Sequence, residues 1–415
     1  MPPSPSSATA RGLAALTFAF TLSQFFRSCL AVIAPELQHD LALSPAGFGT
    51  LSSCFFLSFA VAQIPVGIAF DRWGVGVPTR WLLSLGVGSG LLFALAPGGG
   101  SAMLAQAGLG LACAPVFMGL MHFASEQLPP QRYVAFLGRS NAIGMLGALA
   151  ATFPLGWATH RIGWRVALGV AALGMLLACI GVWRHVRDHG HAQARAESPA
   201  ALLAGSARLL AVPALWTLIP MCVGMAAGTA FRNAWGGPYL AEVFGLGADA
   251  RGLALTLLSL GGFGTALLLP VLARRGSLRA TVIGWSLAST AAGAILAAWP
   301  AGGALAPHLA LLTMLATVGM LHPLVMTHGR ALLAPAQRGR GLGVLNTFVF
   351  LGSSLAAWAF GQIADAGQRG GWSTGTVWTA IFGCASALVL LGALPYLLSP
   401  RAGGGPVAGP ELEKT

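Results

Sequence analysis

Between Phe18 and Leu37 the chain reads FAFTLSQFFRSCLAVIAPEL, an apolar stretch with one full charge, Arg27, well inside it. A bilayer hydrocarbon core of about 30 Å is crossed by about 20 such residues of helix. An arginine at that depth costs roughly 3 kcal/mol or more, so it has to face a protein interior or a water-filled cavity. The same device returns at Phe231-Arg232 in AAGTAFRNAWGGPYL, 205 residues later and about half the 415-residue chain away. The spacing predicts two repeated halves, with the two arginines marking a site between them.

The rest of the chain has the composition of a polytopic membrane protein. Hydrophobic residues make up 56% and charged residues only 8%, against about 25% charged in soluble domains. Twelve apolar runs are expected, near 13–35, 47–70, 81–97, 103–125, 135–158, 165–184, 213–235, 251–272, 280–299, 305–329, 341–363 and 374–398. The longest polar interval, 185–212, divides them into six-helix halves at 1–184 and 213–398, with a tail over 399–415. The net charge of +12 does not point to nucleic acid, because the arginines sit in short segments between apolar runs. The six cysteines lie inside apolar runs without metal-type pairing, so no disulfide is expected. The N-terminus MPPSPSSATARG lacks a cleavage pattern, so the first run reads as a retained span.

The basic residues set the orientation. With the N-terminus in the cytoplasm, seventeen of the 23 lie in cytoplasmic segments. Arg161, Arg165, Arg251 and Arg369 fall in outer loops, and Arg27 and Arg232 inside runs. Both termini are then cytoplasmic, and the cytoplasmic (inner) membrane is the expected location. The repeat goes beyond the arginines: His122 answers His328 at an offset of 206, and Asn141–Asn346, Gly147–Gly352 and Gly156–Gly361 match at 205. Gly163-Trp164 answers Gly371-Trp372 at 208. Six spans per unit makes this a parallel repeat.

Between the second and third runs stands Gly67-Ile68-Ala69-Phe70-Asp71-Arg72-Trp73-Gly74. It resembles the G-x-x-x-D-R-x-G signature of the major facilitator superfamily, although Val75–Thr79 separates Gly74 from the next basic residue, Arg80. The resemblance covers nearly the whole chain and implies an all-α fold of twelve transmembrane helices in two six-helix bundles related by a pseudo-two-fold. It also implies that Gly67, Asp71, Arg72 and Gly74 form a conformational latch on the cytoplasmic side. The stretch from Phe25 to Gly74 looks like the anion:cation symporter and organophosphate antiporter branches. In the latter, arginines of spans one and seven hold the substrate phosphate, and Arg27 and Arg232 match these by span. The glycine-rich nitrate signature and the acidic residue of span four are both missing.

Paired guanidiniums suit carboxylate or phosphate oxygens. Arg27 and Arg232 are therefore the candidate substrate ligands, with Asn233, Trp235 and His322 beside them. Arg232 lies late in its run and could instead snorkel outward. His122 and His322 are candidate coupling residues, since histidine takes up a proton near neutral pH; His122 and His328 equally read as helix-packing or end positions. No Asp or Glu is expected mid-span. Met221-x-x-x-Met225 and His322-x-x-x-Met326 place soft ligands on single helix faces and resemble the pattern of major-facilitator copper importers; packing filler explains them as well. His185, His189 and His191 read as a solvated linker. No Walker loop or catalytic triad occurs, so an enzyme is not expected, nor a cofactor. The expectation is a monomeric secondary transporter of a small organic anion, driven by a proton or counter-anion. The alternatives are copper import and an anion sensor built like a transporter.

Overall fold

The computed structural model describes residues 7–186, 205 and 207–400. The linker expected over 185–212 lies mostly outside them, as do the tail beyond Pro400 and His189 and His191. The described residues are helical throughout, without strands. Ten helices are long and apolar enough to cross a membrane: Pro45–Trp73 (span 2), Gly99–Gln127 (span 4), Pro130–Ile162 (span 5), Trp164–His185 (span 6), Pro213–Phe244 (span 7), Ala248–Arg275 (span 8), Leu278–Ala298 (span 9), Leu305–Leu332 (span 10), Arg338–Arg369 (span 11) and Thr374–Tyr396 (span 12). An eleventh, span 1, is the pair Ser7–Ser28 and Leu30–Asp40, bent by 53°. The remaining run corresponds to Gly76–Ala94 (span 3), which starts earlier than the sequence suggests and is not among the helices long and apolar enough by that measure. It carries Thr79, Arg80, Ser84 and Ser89. Thr79 donates to Val75 O at 2.6 Å and Ser84 to Arg80 O at 3.0 Å, each one turn back, while Arg80 reaches across the bundle to Val186 O.

Local chemistry explains several helix ends. Ser44, Ser277 and Ser373 each accept a hydrogen bond from the backbone N–H three residues on, capping spans 2, 9 and 12. Span 2 ends where Gly74 takes φ 78°, a left-handed conformation that glycine reaches without strain. The second-half counterpart, Gly276, has φ −117°, so the turn is not repeated. The linked pair Gly163 and Gly371 does repeat, with φ 80° and 66°.

The halves are related as the sequence offsets predict. Gly147 of span 5 packs on Thr21 of span 1, and Gly352 of span 11 packs on Val223 of span 7. Across the halves, Gly156 of span 5 lies against Ala248 and Gly252 of span 8, while Gly361 of span 11 lies against Pro45 and Gly49 of span 2. Hydroxyl pairs accompany both seams: Thr256–Thr152 at 2.8 Å and Ser53–Ser354 at 2.7 Å. The seams concentrate toward the face opposite the chain ends, here called the distal face.

That face also holds an ion pair between the halves. Arg251, read from sequence as an outer-loop residue, sits in the first turn of span 8 and is 2% exposed. Its guanidinium meets both Glu36 oxygens at 2.7 and 2.6 Å and donates to Val32 O at 2.8 Å and Leu246 O at 3.1 Å. Pro35 has no N–H to offer Ala31 O, and Gly237 of span 7 packs on that carbonyl so closely that a Cβ would overlap it. Glu36→Ala strands a buried guanidinium, which costs about 3 kcal/mol or more. A clear drop in the thermal unfolding midpoint of the detergent-purified protein is expected, whereas Asp365→Ala, removing the local Asp365–Arg369 pair whose arginine is exposed, should change it little.

Candidate functional site

Three helices lose regular geometry at the same region of the fold. Span 1 breaks at Ser28-Cys29, directly after Arg27. Span 7 forms a π-helical turn over Phe231–Trp235, which carries Arg232 and Asn233. Span 10 tightens to 3-10 geometry over Thr317–Leu321 and restarts at His322-Pro323. Such irregularities free backbone groups and re-aim side chains, and they recur at functional sites.

Arg27 and Arg232 come together there. Both are half-buried, with the Nε atom of each fully buried and unpartnered. Neither has a carboxylate partner among the described residues. The residues that follow them, Ser28 and Asn233, are hydrogen-bonded across the halves, which brings the two positions together. The Arg27 guanidinium lies over the rings of Phe59 and Phe350, 4.9 and 5.2 Å from their centroids. These rings, from opposite halves, touch at 4.2 Å. Cation–π contact of this kind is worth about 1–2 kcal/mol, and it leaves the hydrogen-bonding edge of the guanidinium uncommitted.

Neutral polar side chains join the halves around this pair. Ser28 donates to Asn233 Oδ1 at 3.2 Å. These residues follow Arg27 and Arg232 and are themselves 205 apart. Asn233 is fully buried, and its Nδ2 has no partner among the described residues. Asn346 of span 11 donates to Gln63 Oε1 of span 2 at 2.9 Å, and its Oδ1 lies 3.1 Å from His322 Nε2. If the amide is oriented this way, Nε2 carries the proton.

Other residues singled out in the sequence lie elsewhere. Trp235 is buried on the distal side, with its indole N–H on Ala357 O at 3.2 Å and its ring against Phe48, Phe360 and Trp378. His122 is exposed at the end of span 4, with Phe70 6.1 Å away. His328 is a packing residue bonded to Tyr396 Oη and Pro400 O. Asp71 and Arg72 are exposed at the face of the chain ends, and Gly67 has open space beside it. Met221 and Met225 are fully buried, Met221 Sδ accepting from Ser286 at 3.6 Å, and Met326 is half-buried. No group of three or more His, Cys, Asp or Glu among the described residues could hold a metal ion.

Sequence reasoning missed Phe59, Gln63 and Phe350. Gln63 did leave a signal, as a lone amide in an uncharged apolar run. Asn346→Ala cuts both links to Gln63 and His322. It should lower stability by about 1–2 kcal/mol, read as a fall in the thermal midpoint that Asn141→Ala, at the exposed counterpart position, does not produce.

Comparison with known proteins places this geometry in context. The Major Facilitator Superfamily profile matches residues 16–357. The probable galactarate/D-glucarate transporter of Escherichia coli is 26% identical over 37% of the chain and 36% of its own length. The probable L-galactonate transporter of Escherichia coli is 29% identical over 46% of the chain and 42% of its own length. The chain thus matches well under half the length of these transporters. The Escherichia coli membrane sensor protein UhpC matches at 24% identity over 91% of this chain and 90% of its own. Among solved structures, the nucleoside transporter NupG superposes with a TM-score of 0.76 at 13% identity, covering 93% of this chain and all of that one. A D-xylose-proton symporter gives 0.73 at 13%, covering 97% and 100%. At these identities the solved structures speak to the fold.

Proposed function

The chain belongs to the Major Facilitator Superfamily, a family of membrane transporters and not of enzymes, and we propose that it moves a small organic anion, a carboxylate or phosphate, by alternating access. The observation that carries this reading is the pair Arg27–Arg232: two guanidiniums from matching positions of the two halves, each next to the Ser28–Asn233 hydrogen bond and without an acidic partner among the described residues. An anion between them neutralises both and draws the halves together, which is the ligand-dependent step that alternating access needs. The names of the partial relatives, transporters of galactarate/D-glucarate and L-galactonate, agree with an anionic substrate.

In this reading the bundles 1–184 and 213–398 rock as two bodies about the cytoplasmic linker 185–212. The protein acts as a monomer in the cytoplasmic membrane, with both termini inside. Asn233 and His322 shape the site, while Trp235 acts from the packed layer behind it. Asp71, Arg72, the helical Gly67 and the Gly74 turn engage when the face of the chain ends closes. Coupling is by proton or counter-anion. His322 is the proton candidate at the site, since His122 lies at the helix end.

The test is a thermal-shift screen of dicarboxylates, sugar acids, phosphate esters and copper(I), followed by flux into vesicles. An anion is expected to stabilise the wild type, with affinity and flux falling roughly 10–100-fold in Arg27→Gln, the worth of one charged hydrogen-bonding contact. Arg27→Lys restores only part, because an ammonium lacks the paired donors. Equal anion binding by Arg27→Gln overturns the site, stabilisation by copper(I) alone moves it to the Met and His faces, and binding without flux makes the protein a sensor. If protons drive transport, His322→Gln abolishes accumulation against a gradient while keeping exchange, and His122→Gln retains both; a pH-independent wild type assigns coupling to a counter-anion.

A further inference from the structure

A groove of about 860 Å3 lies between span 1 and the first part of span 5, lined by Phe18, Ile143 and Leu146 and, nearer the face of the chain ends, by Gln131, Arg132 and Arg139. It is separate from the Arg27 site. Its floor is the contact between the two helices: Thr17 and Ser140 hydroxyls lie 3.2 Å apart, and Gly144 seats on the Phe20 ring. Beside that buried face, Phe18, Ile143 and Leu146 are 42%, 46% and 57% exposed. In a bilayer-spanning chain such a wall meets lipid chains.

Arg139 is the residue this setting does not otherwise explain. Span 5 starts at Pro130, so Arg139 lies nine residues in, about 13 Å along the axis at 1.5 Å per residue. It is exposed, and it makes no hydrogen bond or ion pair among the described residues. An arginine so placed on an outer helix face needs a partner for its donors. A phosphodiester supplies one in matching planar geometry, and the flexible side chain can reach toward the headgroup level to meet it.

We propose that this groove binds an anionic phospholipid, with its phosphate on Arg139 and one acyl chain along Phe18, Ile143 and Leu146. Charge complementarity selects this occupant: a positive end joined to an apolar wall matches a negatively charged headgroup joined to a hydrocarbon chain. Arg132 and Gln131 sit at the mouth, where further headgroup oxygens fall. A zwitterionic lipid offers the same chain but no net negative charge.

The experiment uses the full chain in detergent, with phosphatidylglycerol or phosphatidylcholine added, read by native mass spectrometry and by thermal midpoint. Phosphatidylglycerol is expected to be retained and to raise the midpoint of the wild type more than phosphatidylcholine does. Its apparent affinity should fall about tenfold in Arg139→Gln, as on losing one charge-assisted contact, and largely persist in Arg139→Lys. Leu146→Trp, which fills the apolar wall and keeps the charges, should weaken retention as well. Equal retention of both lipids by the wild type, undiminished retention in Arg139→Gln, or equal stabilisation by inorganic phosphate alone would each overturn the proposal. None of these readouts depends on the transported substrate.

Discussion

Two positive charges that no carboxylate among the described residues neutralises govern the middle of this molecule. Within a bilayer-spanning chain an arginine is tolerated when its donors are met or water reaches it. The protein meets both situations with the same residue type. Arg251 is buried and fully committed to Glu36 and two backbone carbonyls. Arg27 is given aromatic faces, and neither Arg27 nor Arg232 has a carboxylate partner among the described residues. The first is an arrangement for holding two halves together. The second keeps a charge available, and the breaks in spans 1, 7 and 10 gather at it because a regular helix would point these side chains elsewhere.

The distal seam uses backbone rather than bulk. Gly156 with Gly252 and Gly49 with Gly361 bring helix axes close, and small residues are how membrane helices gain contact where no hydrophobic force drives them together. Ser53–Ser354 and Thr152–Thr256 add hydroxyl pairs of modest strength. The seam is therefore tight in shape, with Glu36–Arg251 its charged fastening. Farther from that face, the described links between halves reach the level of Gln63–Asn346, while Asp71 and Arg72 stand exposed at the opposite face.

Much of this was legible in the chain because membrane physics writes it there. Apolar runs, arginine asymmetry and a near-constant offset of 205 carried the helices and the two related halves, and the same offset marked Arg27 with Arg232. Span 3 was harder to delimit, because Thr79, Arg80, Ser84 and Ser89 dilute its apolarity, and Arg80 finds its partner, Val186 O, only in the folded bundle. The Glu36–Arg251 pair could not be read locally: the residues are 215 apart in sequence, and each resembles an ordinary helix-end charge. Phe59 and Phe350 were hidden for another reason, since an aromatic in an apolar run looks the same whether it meets lipid or a guanidinium. Trp235 shows the converse, where nearness in sequence to Arg232 does not keep a side chain out of a packed aromatic layer.

The Ser28–Asn233 hydrogen bond has a geometric consequence. Two residues at equivalent positions of related halves can touch only close to the axis that relates them. Their bond therefore marks where that axis passes, with Arg27 and Arg232 disposed on either side like the pans of a balance. That axis runs through the membrane, and the bond also lies at the depth of the breaks in spans 1 and 7. If one half tilts on the other about a line in the membrane plane at that depth, contacts there travel least and those at the membrane faces most. The small neutral contact at the centre can then survive a motion that must tear the far stronger Glu36–Arg251 pair, so the durability of a bond here follows its distance from the pivot rather than its strength.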